Sequence, residues 1–111
     1  MLPSRFRLKL PPSWNRNYPD FKTSTALFKL IGKRVADQKG TRVGFIVSTK
    51  VGKATVRNRT RRKIEALLLD HLEKSRGQLE VIIIVYPTCA KSSHEELSSS
   101  LNQALSKIHF S

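Results

Sequence analysis

The chain has 111 residues, enough for one compact domain and too few for two domains with separate cores. Apolar residues make up 39% of the chain, as in ordinary folded domains and unlike low-complexity sequences. Its formal net charge is +13, unevenly distributed: residues 1–63 hold 17 Lys or Arg against two acids, whereas residues 64–111 hold four against six. This asymmetry predicts one basic surface that faces a polyanion, with nucleic acid as the leading partner.

Several classes of protein are disfavoured by what the sequence lacks. Cys89 is the only cysteine, so an intrachain disulfide and a Cys-x-x-Cys metal site are excluded. The first ten residues contain no apolar segment of signal-peptide length, and the longest apolar run, residues 81–85, is too short to cross a bilayer. We therefore expect a cytoplasmic protein with no membrane partner and no metal site of its own.

The N-terminal part predicts an arm and a short helix. Residues 1–12 are basic and end in two prolines, which favours an extended arm. A short helix follows with Ser13 as its N-cap, Trp14 and Tyr18 one turn apart, and Pro19 at its end. We treat residues 1–111 as one domain that includes this arm.

The remaining elements predict an α+β fold. Strands are expected at residues 23–31 and 42–49, and a buried central strand at residues 79–87. A long helix is expected at residues 54–76, where apolar residues recur at spacings of three and four. A last helix begins near Ser92 or Ser93, which form capping boxes with Glu95 and Glu96. We expect the helices to cover one face of the sheet and the other face to be free to bind.

The most informative segment is residues 48–63, which contain seven cations and no acid. We call these cations the basic cluster: Lys50, Lys53, Arg57, Arg59, Arg61, Arg62 and Lys63. Most of them fall in the first turns of the long helix, where the positive end of the helix dipole makes each cation unfavourable by a few tenths of a kcal/mol. Phosphates bound at this helix end would explain the placement. Asn58, among the arginines, can both donate to and accept from a sugar hydroxyl or a base edge.

Residues 42–68, RVGFIVSTKVGKATVRNRTRRKIEALL, resemble the signature of the bacterial ribonuclease P protein family, in which a Val-Gly-Lys turn leads into an Arg-Asn-Arg helix. A weaker likeness covers nearly the whole chain. The resemblance implies a two-layer sandwich of a small mixed sheet with helices and a left-handed β-α-β crossover, the ribosomal protein S5 domain 2-like fold. It further implies a protein subunit of a ribonucleoprotein endoribonuclease that removes the 5′ leader of precursor transfer RNA.

By the same resemblance, the basic cluster and Asn58 contact the catalytic RNA, and a cleft between sheet and helix holds the single-stranded leader. Trp14 and Tyr18 match the spacing of two family aromatics that would contact the leader, and Phe28 is a candidate third aromatic on the first strand. Catalysis would belong to the RNA and its magnesium ions, with no catalytic residue in the protein. Thr49 and Glu65 depart from the family pattern, because many family members have a basic residue at each of these positions. Both departures weaken the positive electrostatic potential at the edges of the basic cluster.

Three other classes of function are weighed against this interpretation. A structural RNA-binding protein of ribosomal type fits the charge, size and α+β pattern equally well, and only the Arg-Asn-Arg motif in its strand-to-helix context separates the two. An autonomous nuclease would need carboxylates for metals or a nucleophile with its base, and the basic part of the chain has only two acids. A DNA-binding module is disfavoured because no helix-turn-helix or zinc pattern occurs.

Overall fold

The computed structural model describes residues 6–8, 21–34, 41–74 and 79–107. The predicted arm, except residues 6–8, and the predicted short helix with Trp14 and Tyr18 lie outside the described residues. The strands are β1 (Phe21–Ser24), β2 (Phe28–Arg34), β3 (Arg42–Val47) and β4 (Leu79–Val85), and the helices are α1 (Ala54–Lys74) and α2 (His94–Lys107). A short 3-10 helix, Pro87–Lys91, precedes α2.

The four strands form one mixed sheet in the order β1-β2-β4-β3. β2 is antiparallel to both β1 and β4, whereas β3 and β4 are parallel and are connected by α1. The predicted central position of the apolar strand is therefore confirmed, as is the α+β class with a mixed sheet. The hand of the β3-α1-β4 crossover stays a prediction.

The prediction of a single strand over residues 23–31 is wrong, because this segment is a hairpin. Thr25 Oγ1 accepts hydrogen bonds from the backbone N–H groups of Leu27 and Phe28, at 3.1 and 3.3 Å. The N–H of Thr25 donates to the carbonyl of Phe28 at 2.8 Å. These local bonds replace the continuous ladder that the β-branched composition predicted, since a threonine side chain can stabilise a tight turn as well as a strand.

Both long helices pack against one face of the sheet. The core of this layer combines residues of β2, β3 and β4 with the predicted apolar stripes of the helices. In α1, Leu72 is buried, whereas Leu67 and His71, which continue the same spacing of three and four, are only half-buried. The burial of these side chains fixes the orientation of α1 relative to the sheet. The buried helix residues of the core are Ile64, Leu68, Leu72, Leu97, Leu101, Ala104 and Leu105.

The opposite face of the sheet is not open at its centre. Ile31 and Ile82 are directly opposite each other in the β2-β4 register, and they are 3% and 0% exposed. The expectation of a free second face is therefore wrong at this point, because the side chains at the centre of this face are closed to solvent. Lysines of β1 and β2 lie on the same face around this centre: Lys22 is exposed, and Lys29 and Lys33 are half-buried.

Candidate nucleic-acid interface

The turn between β3 and α1 sets the position of the basic cluster. Two backbone hydrogen bonds close this turn, from Val51 to Ser48 at 3.1 Å and from Gly52 to Thr49 at 3.2 Å. Gly52 has a φ of +150°, a conformation that side chains disfavour, and a Cβ at this position would approach Val56 Cβ to 3.0 Å. Glycine therefore suits this position in the turn that leads into α1.

The N-terminal end of α1 is an electrostatic site of positive sign. Its first turn contains no acid, and the earliest N–H groups of a helix have no intrahelical acceptor. The positive end of the helix dipole therefore coincides with the cations that the sequence places there. Backbone donors, dipole and side-chain charge all favour an anion such as a phosphate at this end of α1.

The structure brings the predicted RNA-binding residues together around this end of α1. Most of them are exposed and therefore available to a ligand. Arg57 and Arg61 differ from the others, because they are half-buried at the edge of the packed face of the helix. The exposed surface at the start of α1 therefore contains fewer cations than the basic cluster as a whole. The exposed members of the predicted set are Lys50, Lys53, Asn58, Arg59, Arg62 and Lys63.

One member of the basic cluster is paired with a carboxylate of the protein itself. Arg61 Nε lies 3.1 Å from Glu65 Oε1, and the Glu65 side chain is only 7% exposed. The Nε–H makes no hydrogen bond, so the contact is an ion pair without an aligned donor. Within the described ranges, this is the only ion pair between the cluster and a carboxylate. Glu65 therefore offsets the charge of one arginine rather than that of the whole surface.

A cavity of about 250 Å³ lies next to this ion pair. It is bounded by α1, by β3 and by the short segment 6–8, which adds a bridge to the edge of the sheet. Arg7 pairs with Val43 in this bridge, and the N–H of Leu8 donates to the Val43 carbonyl at 3.0 Å. The cavity is lined by Arg7, Leu8, Val43, Gly44, Phe45, Arg61 and Glu65. Sequence reasoning did not find it, because residues distant in the chain form it.

The leader-contact prediction for Phe28 is wrong. The ring is 0% exposed and belongs to the core between the sheet and the helices, so no base can stack on it. Phe28 follows the Thr25 turn and starts β2 on the packed face, a position that the single-strand assignment could not distinguish from the open face. Trp14 and Tyr18 lie outside the described residues, and their role stays a prediction.

The face opposite the helices carries residues that the sequence analysis missed. Lys29 and Lys33 lie on this face of β2 on either side of the buried Ile31, a placement that follows from the two-residue period of a strand once the hairpin is known. Tyr86 follows β4, and its hydroxyl lies 3.0 Å from Ser24 Oγ at the end of the same face. A half-buried aromatic ring and three lysines thus border this side of the sheet.

Cys89 is buried beneath the start of α2, in the 3-10 helix that packs on α1. Burial raises the pKa of its thiol above the ordinary value of 9.0, while a hydrogen bond from Ser92 and the nearby charge of Lys63 lower it less strongly. The thiol is therefore protonated at neutral pH and unsuited to act as a nucleophile.

Neither a metal centre nor a membrane span is present in the described part of the chain. No group of three or more His, Cys, Asp or Glu side chains there is placed to hold a metal ion. No helix among the same residues is both long and apolar enough to cross a bilayer. The chemistry that the described surface offers is the binding of a polyanion.

Comparison with known proteins agrees with this surface. A family model described as Ribonuclease P matches residues 2–109. The ribonuclease P protein component of Acidothermus cellulolyticus is 31% identical, with 97% of this chain and 92% of the relative covered. The corresponding protein of Synechocystis is 34% identical, with 96% and 87% covered.

Solved structures share the fold. One structure of the Staphylococcus aureus RNase P protein superposes with a TM-score of 0.74 at 21% identity and covers 99% of this chain and 95% of that one. A second structure of the same protein, at 2.0 Å, gives a TM-score of 0.73 at 20% identity, with 81% and 82% covered. The similarity extends over both helices and the sheet, and it supports the described topology.

Proposed function

Because the chain belongs to the ribonuclease P protein family, we propose that it is the protein subunit of a ribonucleoprotein that removes the 5′ leader of precursor transfer RNA. The observation that carries the proposal is the basic cluster at the N-terminal end of α1. Six of its seven cations have no carboxylate within ion-pair distance among the described residues, and five of these six are exposed and therefore available to the phosphates of a folded RNA.

The partner at this end of α1 is the ribonuclease P RNA in our proposal. Arginine forks bind phosphate oxygens with two parallel hydrogen bonds, and free N–H groups at the helix end add further donors. Arg59 and Arg62 are exposed and well placed for such contacts. Asn58, one helical turn before Arg62, can bond to a 2′-hydroxyl or a base edge, which would add selectivity for RNA.

The leader of the precursor binds, in our proposal, on the face of the sheet opposite the helices. Lys22, Lys29 and Lys33 supply positive charge along this face, and Tyr86 offers a ring on which an unpaired base can stack. The predicted contacts of Trp14 and Tyr18 belong to the same proposal. Phosphates of a single strand would follow the lysines, with little dependence on leader sequence.

Catalysis is proposed to reside in the RNA and its magnesium ions. Magnesium prefers carboxylates, phosphates and water as ligands, and the described residues at the basic cluster offer one carboxylate, that of Glu65, which is paired with Arg61. Protein residues therefore fit a role in binding and orienting RNA, not in holding the metal. The protein would act in the cytoplasm, with no membrane or DNA partner.

Reconstitution tests the proposal. The full chain should restore cleavage of a precursor transfer RNA by a bacterial ribonuclease P RNA at low magnesium concentration, where the RNA alone is inactive. The variant Arg59→Ala/Arg62→Ala should lose this effect, whereas Lys91→Ala/Lys107→Ala, which removes the same charge outside the basic cluster, should retain it. Failure of the unmodified protein to promote cleavage would refute the proposal.

A structural RNA-binding protein of ribosomal type is the second candidate, favoured by charge and by the α+β fold alone. Affinity for precursor and mature transfer RNA separates the two. A ribonuclease P subunit, once assembled with its RNA, should bind the precursor more tightly, because only the precursor carries a leader. Equal affinity for both forms would favour the structural role.

A further inference from the structure

The side chain of Tyr86 connects two strands that are not neighbours in the sheet. Tyr86 follows β4 with extended backbone angles, φ −88° and ψ 155°, so it continues the alternation of that strand. Val85 before it belongs to the core beneath the helices, and Tyr86 therefore lies on the opposite face. Its hydroxyl is 3.0 Å from Ser24 Oγ at the end of β1, although β2 separates β1 from β4. The tyrosine side chain accordingly lies across the start of β2.

This orientation of the ring differs from that of most side chains in a sheet. Strand side chains usually stand roughly perpendicular to the sheet. A ring that lies along the sheet has one face toward the protein and the other toward solvent, and the half-buried state of Tyr86 agrees with this arrangement. The solvent-facing side is a flat aromatic surface on which an unpaired base can stack.

The backbone around Tyr86 is fixed by the hairpin between β1 and β2. The N–H of Tyr86 donates to the Leu27 carbonyl at 3.0 Å, and Thr88 Oγ1 donates to the Ala26 carbonyl at 2.6 Å. The main freedom left to Tyr86 is rotation of its side chain, which the hydrogen bond with Ser24 restricts. A ring that is ordered before binding lowers the entropic cost of binding.

The residues next to Tyr86 suit a single strand of RNA. Ile84 precedes it on the same face of β4, and the sheet register pairs Ile84 with Ile46 of β3 and Lys29 of β2. All three side chains are half-buried, so part of each remains exposed, in contrast to the buried centre of this face. Among the described residues no carboxylate lies within ion-pair distance of Lys29, so its ammonium is available to a phosphate.

Tyr86 lies at the end of this face that is closer to the basic cluster. The parallel strands β3 and β4 end at the same side of the sheet, and the turn after β3 leads directly into α1. Lys33 and Glu80, paired in the register, lie toward the start of β4 at the other end. A leader that leaves an RNA bound at the start of α1 therefore reaches Tyr86 first.

We propose that Tyr86 stacks on one unpaired base of the leader, the protein-bound base nearest to the cleavage site, and that Ser24 is the positioning residue that holds the ring for this contact. Ser24 acts through the ring and does not itself contact the RNA. Stacking accepts any base, so the site recognises a single strand rather than a sequence. This inference rests on the proposed function, since it assumes a leader on this face.

Affinity for a precursor transfer RNA that is blocked at the scissile bond tests the two roles in the assembled holoenzyme. Tyr86→Leu should weaken binding by about tenfold, because it removes the stacking surface. Ser24→Ala and Tyr86→Phe should each weaken it by about threefold, because each removes only the hydrogen bond between the two side chains. The double variant Ser24→Ala/Tyr86→Phe should also lose about threefold rather than about ninefold, since both changes remove the same bond.

Two further comparisons exclude a general loss of structure. Ser24→Thr retains the hydroxyl and should restore the affinity that Ser24→Ala loses, and Ser99→Ala, which removes an exposed hydroxyl from α2, should have no effect. Affinity for mature transfer RNA, which has no leader, should be the same in every variant. A variant that bound the ribonuclease P RNA poorly because it was misfolded would lose both affinities.

Fluorescence of 2-aminopurine, substituted at one leader position at a time, locates the stacked base. In the unmodified holoenzyme the strongest quenching should occur at the protein-bound position nearest to the cleavage site. Tyr86→Leu should abolish quenching at that position and leave the other positions unchanged, and Ser24→Ala should reduce it.

Additive losses in the double variant, unchanged quenching in Tyr86→Leu, or strongest quenching at a position farther from the cleavage site would overturn the inference. These outcomes are distinguishable from failure of the proposed function. A holoenzyme with the unmodified protein that binds precursor and mature transfer RNA equally would refute the proposed function. A preference for the precursor that Tyr86→Leu leaves intact refutes only the site at Tyr86.

Discussion

The two long helices begin in opposite ways. At the start of α2, Ser93 Oγ accepts from the N–H of Glu96 and the Glu96 carboxylate accepts from the N–H of Ser93, both at 3.1 Å. Glu95 adds a second acid to this first turn, so charge and hydrogen bonding both match the helix dipole. The first turn of α1 has no acid and lies within a cluster of cations.

We interpret this difference as that between a helix start that stabilises the fold and one that, in the proposed function, binds RNA. α2 satisfies its early N–H groups with its own side chains, and the acids there stabilise the fold without any ligand. α1 accepts unfavourable electrostatics in the free protein, which an external polyanion reverses on binding. Changes at the start of α1 should therefore affect RNA affinity more than stability, and changes at the start of α2 should do the opposite.

The largest effect is expected from removing exposed charge at α1. Arg59→Ala/Arg62→Ala/Lys63→Ala should weaken binding to ribonuclease P RNA by at least about 100-fold, since each charged hydrogen bond is typically worth more than 1 kcal/mol. The slope of log affinity against log salt concentration should become shallower by about 2. Filter binding from low to high salt measures both quantities.

Thermal unfolding of the same triple variant provides the contrast. Its free energy of unfolding should change by no more than a few tenths of a kcal/mol, because the three side chains are exposed and make no ion pair with a described carboxylate. Lys91→Ala/Lys107→Ala, which removes two cations outside the basic cluster, is the control, with little change in RNA affinity expected. A triple variant with lower stability and normal RNA affinity would contradict the view that the start of α1 contributes to binding rather than to folding.

A smaller effect is expected at the turn that starts α1. Gly52→Ala should lower the free energy of unfolding by about 1–3 kcal/mol, since the backbone has a positive φ and the added Cβ meets Val56. Chemical denaturation measures this change, and Ser48→Ala, an exposed substitution in the same turn, is the control. A loss no larger than that of the control would contradict the role given to Gly52.

The capping box of α2 gives the next effect in size. Ser93→Ala should lower the free energy of unfolding by about 1 kcal/mol, because it removes the acceptor for the Glu96 N–H. RNA affinity should not change. Ser99→Ala, exposed on the same helix, serves as the control in denaturant titrations. An effect on RNA affinity rather than on unfolding would show that the start of α2 also belongs to the interface.

The smallest effect is expected at Cys89, a buried thiol whose pKa depends on the charge of Lys63 in α1. Lys63→Met should raise the pKa of the thiol further and slow its alkylation at alkaline pH, because the charge of Lys63 lowers this pKa in the unmodified chain. The raised pKa also affects stability. Above the ordinary value of 9.0 the unfolded thiol loses its proton before the folded one, so the contribution of this group to stability falls as pH rises.

Cys89→Ala isolates that contribution, since other groups also titrate at alkaline pH. The stability of the unmodified chain should decline with pH more steeply than that of Cys89→Ala above pH 9.0. Parallel declines in denaturation experiments from pH 8 to pH 10 would contradict the pKa shift. Alkylation of Lys63→Met at the unmodified rate would contradict the electrostatic link between Lys63 and Cys89.

Local sequence patterns predicted the long elements and the capping box, but not the features that depend on pairing in space. Spacing of apolar residues identified α1, and the run of isoleucines identified β4, because burial repeats with a fixed period within one element. The hairpin at Thr25 was missed since its turn contains neither glycine nor proline. Phe28 was placed on the wrong face as a result.

The candidate site likewise has one part that the sequence predicted and another that depends on contacts in space. The basic cluster was predicted because its residues are consecutive and belong to one helix start. The half-burial of Arg57, the pairing of Glu65 and the cavity near Phe45 depend on how α1 lies against β3 and segment 6–8, which no periodicity encodes. The lysines of β2 can be read from the sequence. That they lie on one face of the sheet follows only from the register of the strands.

The bridge between Arg7 and Val43 covers part of a sheet edge in the free protein, before RNA is bound. β3 is at one end of the sheet order, where unpaired N–H and C=O groups could recruit the strand of another molecule. The Leu8 N–H engages the Val43 carbonyl, and Arg42 adds an exposed charge beside it. Newly made protein is thereby shielded against edge-to-edge aggregation during the interval before assembly.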